Sequence, residues 1–126
     1  MTQYTELRNQ IKEALNKLSI PDSLIYYRKD KVPNDFPAAM ILVEGDRGEN
    51  PMKHGYNDLK LQIAVCLIIK IDNVDDPDLE IMTLKEEFRD EYKKLVGKDA
   101  EECEYYDARA DSRKVRIAKI KIEHTL

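Results

Sequence analysis

Residues 59–71 read LKLQIAVCLIIKI, and this stretch decides the fold. Its odd-numbered positions are all apolar, whereas its even-numbered positions are apolar only in the middle, with Lys60 and Lys70 near the two ends. Because successive side chains of a strand point to opposite faces, this pattern predicts one long β-strand. We expect its middle to be covered on both faces and its two lysines to reach solvent.

The sequence before this strand contains two further β-prone runs. Residues 39–44 form a run that is apolar up to Val43 and ends in Glu44, and it lies between Pro37 and Gly45 with the length of a strand rather than of a helix. Residues 24–27 form a shorter run, which predicts an edge strand. Residues 46–57 show no periodicity and are rich in turn-forming residues. They predict a long loop, and long loops in compact domains are usually functional.

Two segments carry apolar residues at helical spacing. Residues 2–18 predict the first helix, with a charged outer face. The second helix is predicted to begin with Asp76 as N-cap and Pro77 at its first position, and to end at Gly97. The four aspartates of residues 72–78 also suggest calcium. That run lacks the central glycine and terminal glutamate of an EF-hand loop, so capping explains it more simply.

The last third of the chain predicts a closing antiparallel pair of strands at residues 103–109 and 115–123. In the second strand the apolar positions change parity between Ile117 and Ala118. This change predicts either a bulge or a strand that passes from one environment to another. The element order α-β-β-β-α-β-β predicts a single α+β domain over residues 1–126, with two helices and a mainly antiparallel or mixed sheet of about five strands.

The composition predicts a soluble cytoplasmic protein. The 126 residues carry a net charge of −4, which argues against a protein that grips nucleic acid. No signal-peptide pattern opens the chain, and the longest apolar run, residues 64–69, is far too short to span a membrane. Cys66 and Cys103 lack metal-ligand spacing and predict free thiols in a reducing compartment.

The sequence contains no recognised catalytic or cofactor-binding motif. His54 and His124 are the imidazoles of the chain, and neither lies in a nucleophile motif. The carboxylates of residues 85–94 alternate with basic residues, which is typical of a solvated, ion-paired helix face. We therefore expect no enzyme activity, no cofactor and no metal.

The charges of the last third are segregated along the chain. Residues 99–107 are mostly acidic, and residues 109–121 are mostly basic. If the two runs pair as adjacent strands, their opposite charges meet within one molecule. Alternatively, the acidic and basic patches of one subunit meet their opposites on the next subunit, as contacts in a ring require.

Several local features, spread over nearly the whole chain, together carry a resemblance. They are Thr5-Glu6-Leu7-Arg8 and Ala14-Leu15 in the opening helix, Phe36-Pro37-Ala38 before a strand, Gly45 after it, the long strand ending at Ile71, and Tyr105-Tyr106-Asp107-Ala108-Arg109-Ala110-Asp111 before the last strand. In these features the chain resembles the lambda-type tail terminator proteins of long-tailed bacteriophages. Related neck and minor tail proteins share the same small α+β build.

The resemblance implies a structural virion protein without catalytic activity. Members of that family form a ring, a hexamer, that caps the finished tail tube, ends its polymerisation and presents a surface to the head connector or neck protein. The implied partners are thus further copies of the chain, the tail tube protein and the connector, with no sequence-specific nucleic acid binding and no membrane. The implied location is the virion tail, after assembly in the host cytoplasm.

Long polar and aromatic side chains dominate the energetics of protein interfaces, so they are the residues that we select as interface candidates. The candidates are Arg47, Lys53, His54 and Tyr56 in the predicted loop, and Arg109, Arg113 and Arg116 in the basic run. Three alternatives stay open: another neck or head-tail joining protein, a cellular regulatory module with no viral link, or a small cytoplasmic hydrolase or ligand-binding protein. A deep pocket with converging carboxylates would distinguish the last of these.

Overall fold

The structure is a computed structural model, and it describes residues 3–48, 59–100 and 102–125. The elements are α1 (Gln3–Lys17), a short 3-10 helix (Asp22–Leu24), β1 (Ile25–Tyr26), β2 (Ala38–Gly48), β3 (Leu59–Lys70), α2 (Pro77–Val96), β4 (Cys103–Ala110) and β5 (Arg113–Thr125). Within these described ranges, neither α1 nor α2 combines the length and the hydropathy that crossing a bilayer requires.

The five strands form one mixed sheet in the order β1-β2-β3-β5-β4. β1 runs parallel to β2, and the other neighbouring strands pair in antiparallel fashion. The strand predicted from residues 59–71 is β3, in the middle of the sheet, and the short run before β2 forms an edge strand as predicted. The predicted α+β class, with two helices and five strands, is confirmed.

β2 is longer than the sequence predicts. It continues to Gly48, and Arg47 is paired with Lys60 in the ladder to β3. The prediction of a loop from residue 46 onward was therefore wrong at its start, because pairing with a neighbouring strand outweighs the low strand propensity of aspartate and glycine. The rest of that predicted loop, residues 49–57, lies outside the described residues.

The main core lies between both helices and one face of the sheet, which we call the helix face. On β3 the odd-numbered apolar residues point to this face, as the alternation predicts. The helices contribute Leu7, Ile11 and Leu15 from α1, and Ile81, Phe88 and Tyr92 from α2. Phe88 is fully buried, and its ring stacks on Tyr92 with the centroids 5.9 Å apart. Neither α1 nor α2 contributes to the apolar cluster on the opposite face within the described residues, and we call it the open face.

The ends of α2 agree with the prediction. The Asp76 carboxylate accepts a hydrogen bond of 3.1 Å from the Leu79 N–H, and Pro77 occupies the first turn. Gly97 takes the left-handed conformation with φ of 78°, and its N–H donates to the Lys93 carbonyl at 2.8 Å. Both ends thus satisfy backbone groups that a helix leaves unpaired.

β5 accounts for the change of apolar parity near its middle. Val115 and Ile117 belong to a small apolar cluster on the open face, whereas Ala118 and Ile120 belong to the main core. Its pairing with β3 and β4 continues without a register shift, so a bulge in β5 was the wrong alternative. The other alternative, a strand that passes between two environments, is confirmed. A register shift does occur in the sheet, but it lies in β2.

Candidate functional site

The open face carries a groove of about 310 Å³, which we call the open-face groove. Side chains of β2, β3, β4 and β5 form its floor, and the connection between β1 and β2 forms one wall. The apolar lining consists of Val32 and Pro33 from the wall and Met40, Leu42, Ile68, Ala108, Ala110, Val115 and Ile117 from the floor. The groove is therefore a mostly apolar surface that none of the described helices shields.

The sheet register brings this floor together. Met40 pairs with Cys66 across β2 and β3, and Ile68 pairs with Ile117 across β3 and β5. Paired residues point to the same face of a sheet, so the apolar middle of the even-numbered series of β3 meets the odd-numbered residues of β5. The middle of β3 is therefore buried on both faces as predicted, since Cys66 and Ile68 are buried on the open face, and the accessible apolar part of the groove lies at Met40, Leu42 and Ile117.

The polar groups at the floor neutralise one another or stay uncharged. Lys119 forms an ion pair with Glu44, which raises the pKa of the lysine. Burial raises the pKa of the Cys66 thiol, and burial likewise raises the pKa of the neighbouring Tyr106 hydroxyl. Because the thiolate is the nucleophilic form of cysteine, a buried neutral thiol suits packing rather than catalysis.

The rim of the groove is basic. Lys29, Lys31 and Arg109 line it, and none of the three forms an ion pair within the described part of the chain. The neighbouring Arg28 differs, because its guanidinium contacts the Asp30 carboxylate at 2.6 Å. A local excess of positive charge thus surrounds an apolar floor, on a chain whose net charge is −4.

The segregated charges of the last third meet within the chain. Arg116 donates to both carboxylate oxygens of Asp107, at 2.7 and 3.2 Å, and also contacts Asp78 at the start of α2. Lys121 lies 3.1 Å from a carboxylate oxygen of Glu104. Adjacent antiparallel strands therefore pair the acidic run with the basic run, as one of the two interpretations of the sequence expected.

This pairing predicts a loss of stability in acid. The Arg116 hydrogen bond holds the pKa of Asp107 below its ordinary value, and Lys85 does the same for the pKa of Glu86. A carboxyl with a lowered pKa in the folded state stabilises the fold above its ordinary pKa of about 4, and this contribution disappears as the pH falls through the folded-state pKa. We therefore expect the free energy of unfolding to fall between pH 7 and pH 3.

The Asp107→Asn variant removes the ion pair with Arg116 and so measures how much that pair contributes to the acid sensitivity. In urea titrations at both pH values, the variant should lose less stability on acidification than the wild type does. Asp75→Asn is the matched control, since Asp75 is exposed and forms no ion pair within the described residues. An equal acid sensitivity of the Asp107→Asn variant and the wild type would show that the Arg116 pair contributes nothing.

The predicted interface candidates are scattered over the structure. Arg109 lies at the rim of the groove, whereas Arg116 is held by carboxylates of its own chain. Arg113 donates to the Asn34 carbonyl at 3.2 Å and lies over the Phe36 ring. Arg47 lies in β2. Lys53, His54 and Tyr56 fall outside the described residues.

Sequence reasoning did not identify Lys29, Lys31 or the apolar floor as a site. The available signal was the pair of apolar faces on β3, which requires a cover on both sides.

Among the described residues, no group of three or more histidine, cysteine or carboxylate side chains is placed to hold a metal ion. The arrangement as a whole, an apolar floor with a basic rim, is suited to binding another surface.

No protein-family model matches the chain, and no curated protein is significantly similar to it.

Proposed function

We propose that the protein is a structural assembly protein that forms a ring on the end of a phage tail tube, stops tube polymerisation and joins the tube to the head connector. The resemblance to tail terminators motivates this function, and the α-β-β-β-α-β-β order of the fold is consistent with it. The observation that carries the proposal is the open-face groove, a mostly apolar surface on which neither α1 nor α2 packs in the described part of the molecule.

An uncovered apolar groove favours association. Burial of apolar surface contributes roughly 2.5 kcal/mol per 100 Å² removed from water. Packing another molecule against Met40, Leu42 and Ile117 would recover part of that free energy. The same groove is a poor candidate for hydrolysis, because its one carboxylate in the described lining, Glu44, is already paired with Lys119.

A terminator must also be rigid enough to present a fixed end to the tube. The bidentate contact of Arg116 with Asp107 ties β5 to β4, and its contact with Asp78 ties both strands to α2. The ladder of β2 and β3 continues to Gly48 and Leu59, where the described part of both strands ends. In this proposal, that end engages the tail tube or the connector.

The first test of this function measures molecular mass by light scattering coupled to size exclusion, over a hundredfold range of concentration and at two salt levels. We expect a discrete oligomer that resists dilution better at low salt, since the rim of the groove is charged. A second arm adds the protein to tail tube protein during polymerisation, and tubes should stop growing at a shorter length. A chain that stays monomeric and leaves tube length unchanged would overturn the proposed function.

A further inference from the structure

We infer that the open-face groove binds the outer face of α2 from a second copy of this chain. The inference rests on the proposed function and deepens it, because it names the two surfaces that meet in the ring. Each surface lies on this chain, and neither is covered within the described part of the molecule.

The outer face of α2 exposes two large apolar side chains. Leu79 is 64% exposed and Met82 is 50% exposed, and they lie three residues apart on the same side of the helix. The inner side is formed by Ile81 and Phe88, which are buried against the sheet. Packing in the core therefore does not explain why apolar side chains occupy positions 79 and 82.

The helix segment that carries these two side chains is acidic. Residues 75–90 contain seven carboxylates and two basic residues. Of the two basic residues, Lys85 is buried and forms an ion pair with Glu86, and Arg89 donates to the Ala100 carbonyl. Glu80, Glu87 and Asp90 are exposed and form no ion pair within the described residues. We call Leu79, Met82, Glu80, Glu87 and Asp90 the acidic helix face.

The acidic helix face and the open-face groove are complementary. One is a helix surface that exposes two apolar side chains and three carboxylates without an ion pair in the described part of the chain, and the other offers an apolar floor flanked by Lys29, Lys31 and Arg109. Contact between them buries apolar surface on both sides and brings opposite charges together at the margin. This charge complementarity favours a second copy over a partner without an acidic surface.

The positions of the two surfaces also determine the type of assembly. α2 packs on the helix face of the sheet, and the groove lies on the open face. A contact that joins opposite faces of successive copies is heterologous, and such contacts generate closed rings when the rotation between copies closes. The inferred contact is thus of the kind that a ring-shaped cap requires.

The experiment reverses the charges on each surface separately. The groove variant is Lys29→Glu, Lys31→Glu and Arg109→Glu together, and the helix variant is Glu80→Lys, Glu87→Lys and Asp90→Lys together. We expect each variant to dissociate at protein concentrations about tenfold or more above those at which the wild type does, which corresponds to about 1.4 kcal/mol or more per contact. Mixing the two variants should restore assembly, since each then offers the charge that the other requires.

The matched control places the same kind of charge change on α1. Glu6→Lys with Glu13→Lys alters two exposed carboxylates without a described ion pair, and it should leave assembly unchanged. Circular dichroism and urea titration of every variant test whether the monomer is folded. If a triple variant is unfolded, the single changes Arg109→Glu and Glu87→Lys replace it, with a smaller shift expected in the same direction.

The outcomes separate the inference from the proposed function. If the wild type assembles and both charge-reversed variants assemble equally well, the inferred contact is wrong while the ring proposal stands. If only the groove variant is weakened, or if mixing fails to restore assembly, the groove binds a different surface and the inference is overturned. If the wild type neither assembles nor acts on tail tubes, the proposed function itself fails.

Discussion

Replacing Phe88 with alanine is expected to lower the free energy of unfolding by about 3–5 kcal/mol. The side chain is fully buried between α2 and the sheet, and it stacks on Tyr92. Truncation removes the transfer free energy of the ring and leaves a cavity that a close-packed core fills only in part. Because small domains are stable by roughly 5–15 kcal/mol, this loss brings the chain close to unfolding at ambient temperature.

Leu79→Ala is the control for this variant on the same helix. Its side chain is mostly exposed, so the free energy of unfolding should change by no more than about 0.5 kcal/mol. Urea titration followed by circular dichroism measures both variants. Equal losses of stability would contradict the orientation of α2 on which the core and the acidic helix face both depend.

Ile120→Ala should lower the free energy of unfolding by about 2–5 kcal/mol, and Ile117→Ala by much less. The two residues lie three positions apart on β5, yet Ile120 is fully buried in the main core and Ile117 is only partly buried in the open-face groove. The first variant therefore creates a cavity under the helices, whereas the second widens a groove that is already open to solvent.

The two isoleucine variants should differ in the property that each one impairs, which is assembly for Ile117→Ala and stability for Ile120→Ala. The Ile117→Ala variant is expected to stay folded and to assemble less tightly, because the floor of the groove loses apolar area. The Ile120→Ala variant is expected to lose stability first, in a urea titration of the dilute monomer. A larger loss of stability for the Ile117→Ala variant would show that the two faces of β5 have been assigned the wrong way round.

Much of the fold was predictable because its signals are local. The cap at Asp76, the proline after it and the left-handed Gly97 act within one turn of the helix, so sequence reasoning gave both ends of α2 correctly. The alternation of residues 59–71 likewise identified β3 and the coverage of its middle. Both signals depend on neighbouring residues and not on distant parts of the chain.

The errors arose where distant residues decide the outcome. The extension of β2 to Gly48 depends on a ladder partner more than ten positions away along the chain. The two apolar phases of β5 could be resolved only once the helices were known to lie on one face. The periodicity of β5 by itself is equally compatible with a bulge and with a strand between two environments.

The candidate site was less predictable than the fold. Four strands and the connection between β1 and β2 each contribute lining residues to the open-face groove, and no motif marks their convergence. The sequence did identify Arg109, which lies at the rim, but it also selected Arg116, whose charge is used within the chain. Basic residues in a run look alike in sequence, and only their partners in space distinguish them.

The central claim is that copies of this chain associate head to tail into a closed ring, and negative-stain electron microscopy of the largest species from size exclusion tests it most directly. The account predicts closed rings with a central hole, which disappear in the groove variant and return when the groove and helix variants are mixed. A compact dimer with two-fold symmetry would contradict the account, because such symmetry joins identical surfaces rather than the groove of one copy to α2 of the next.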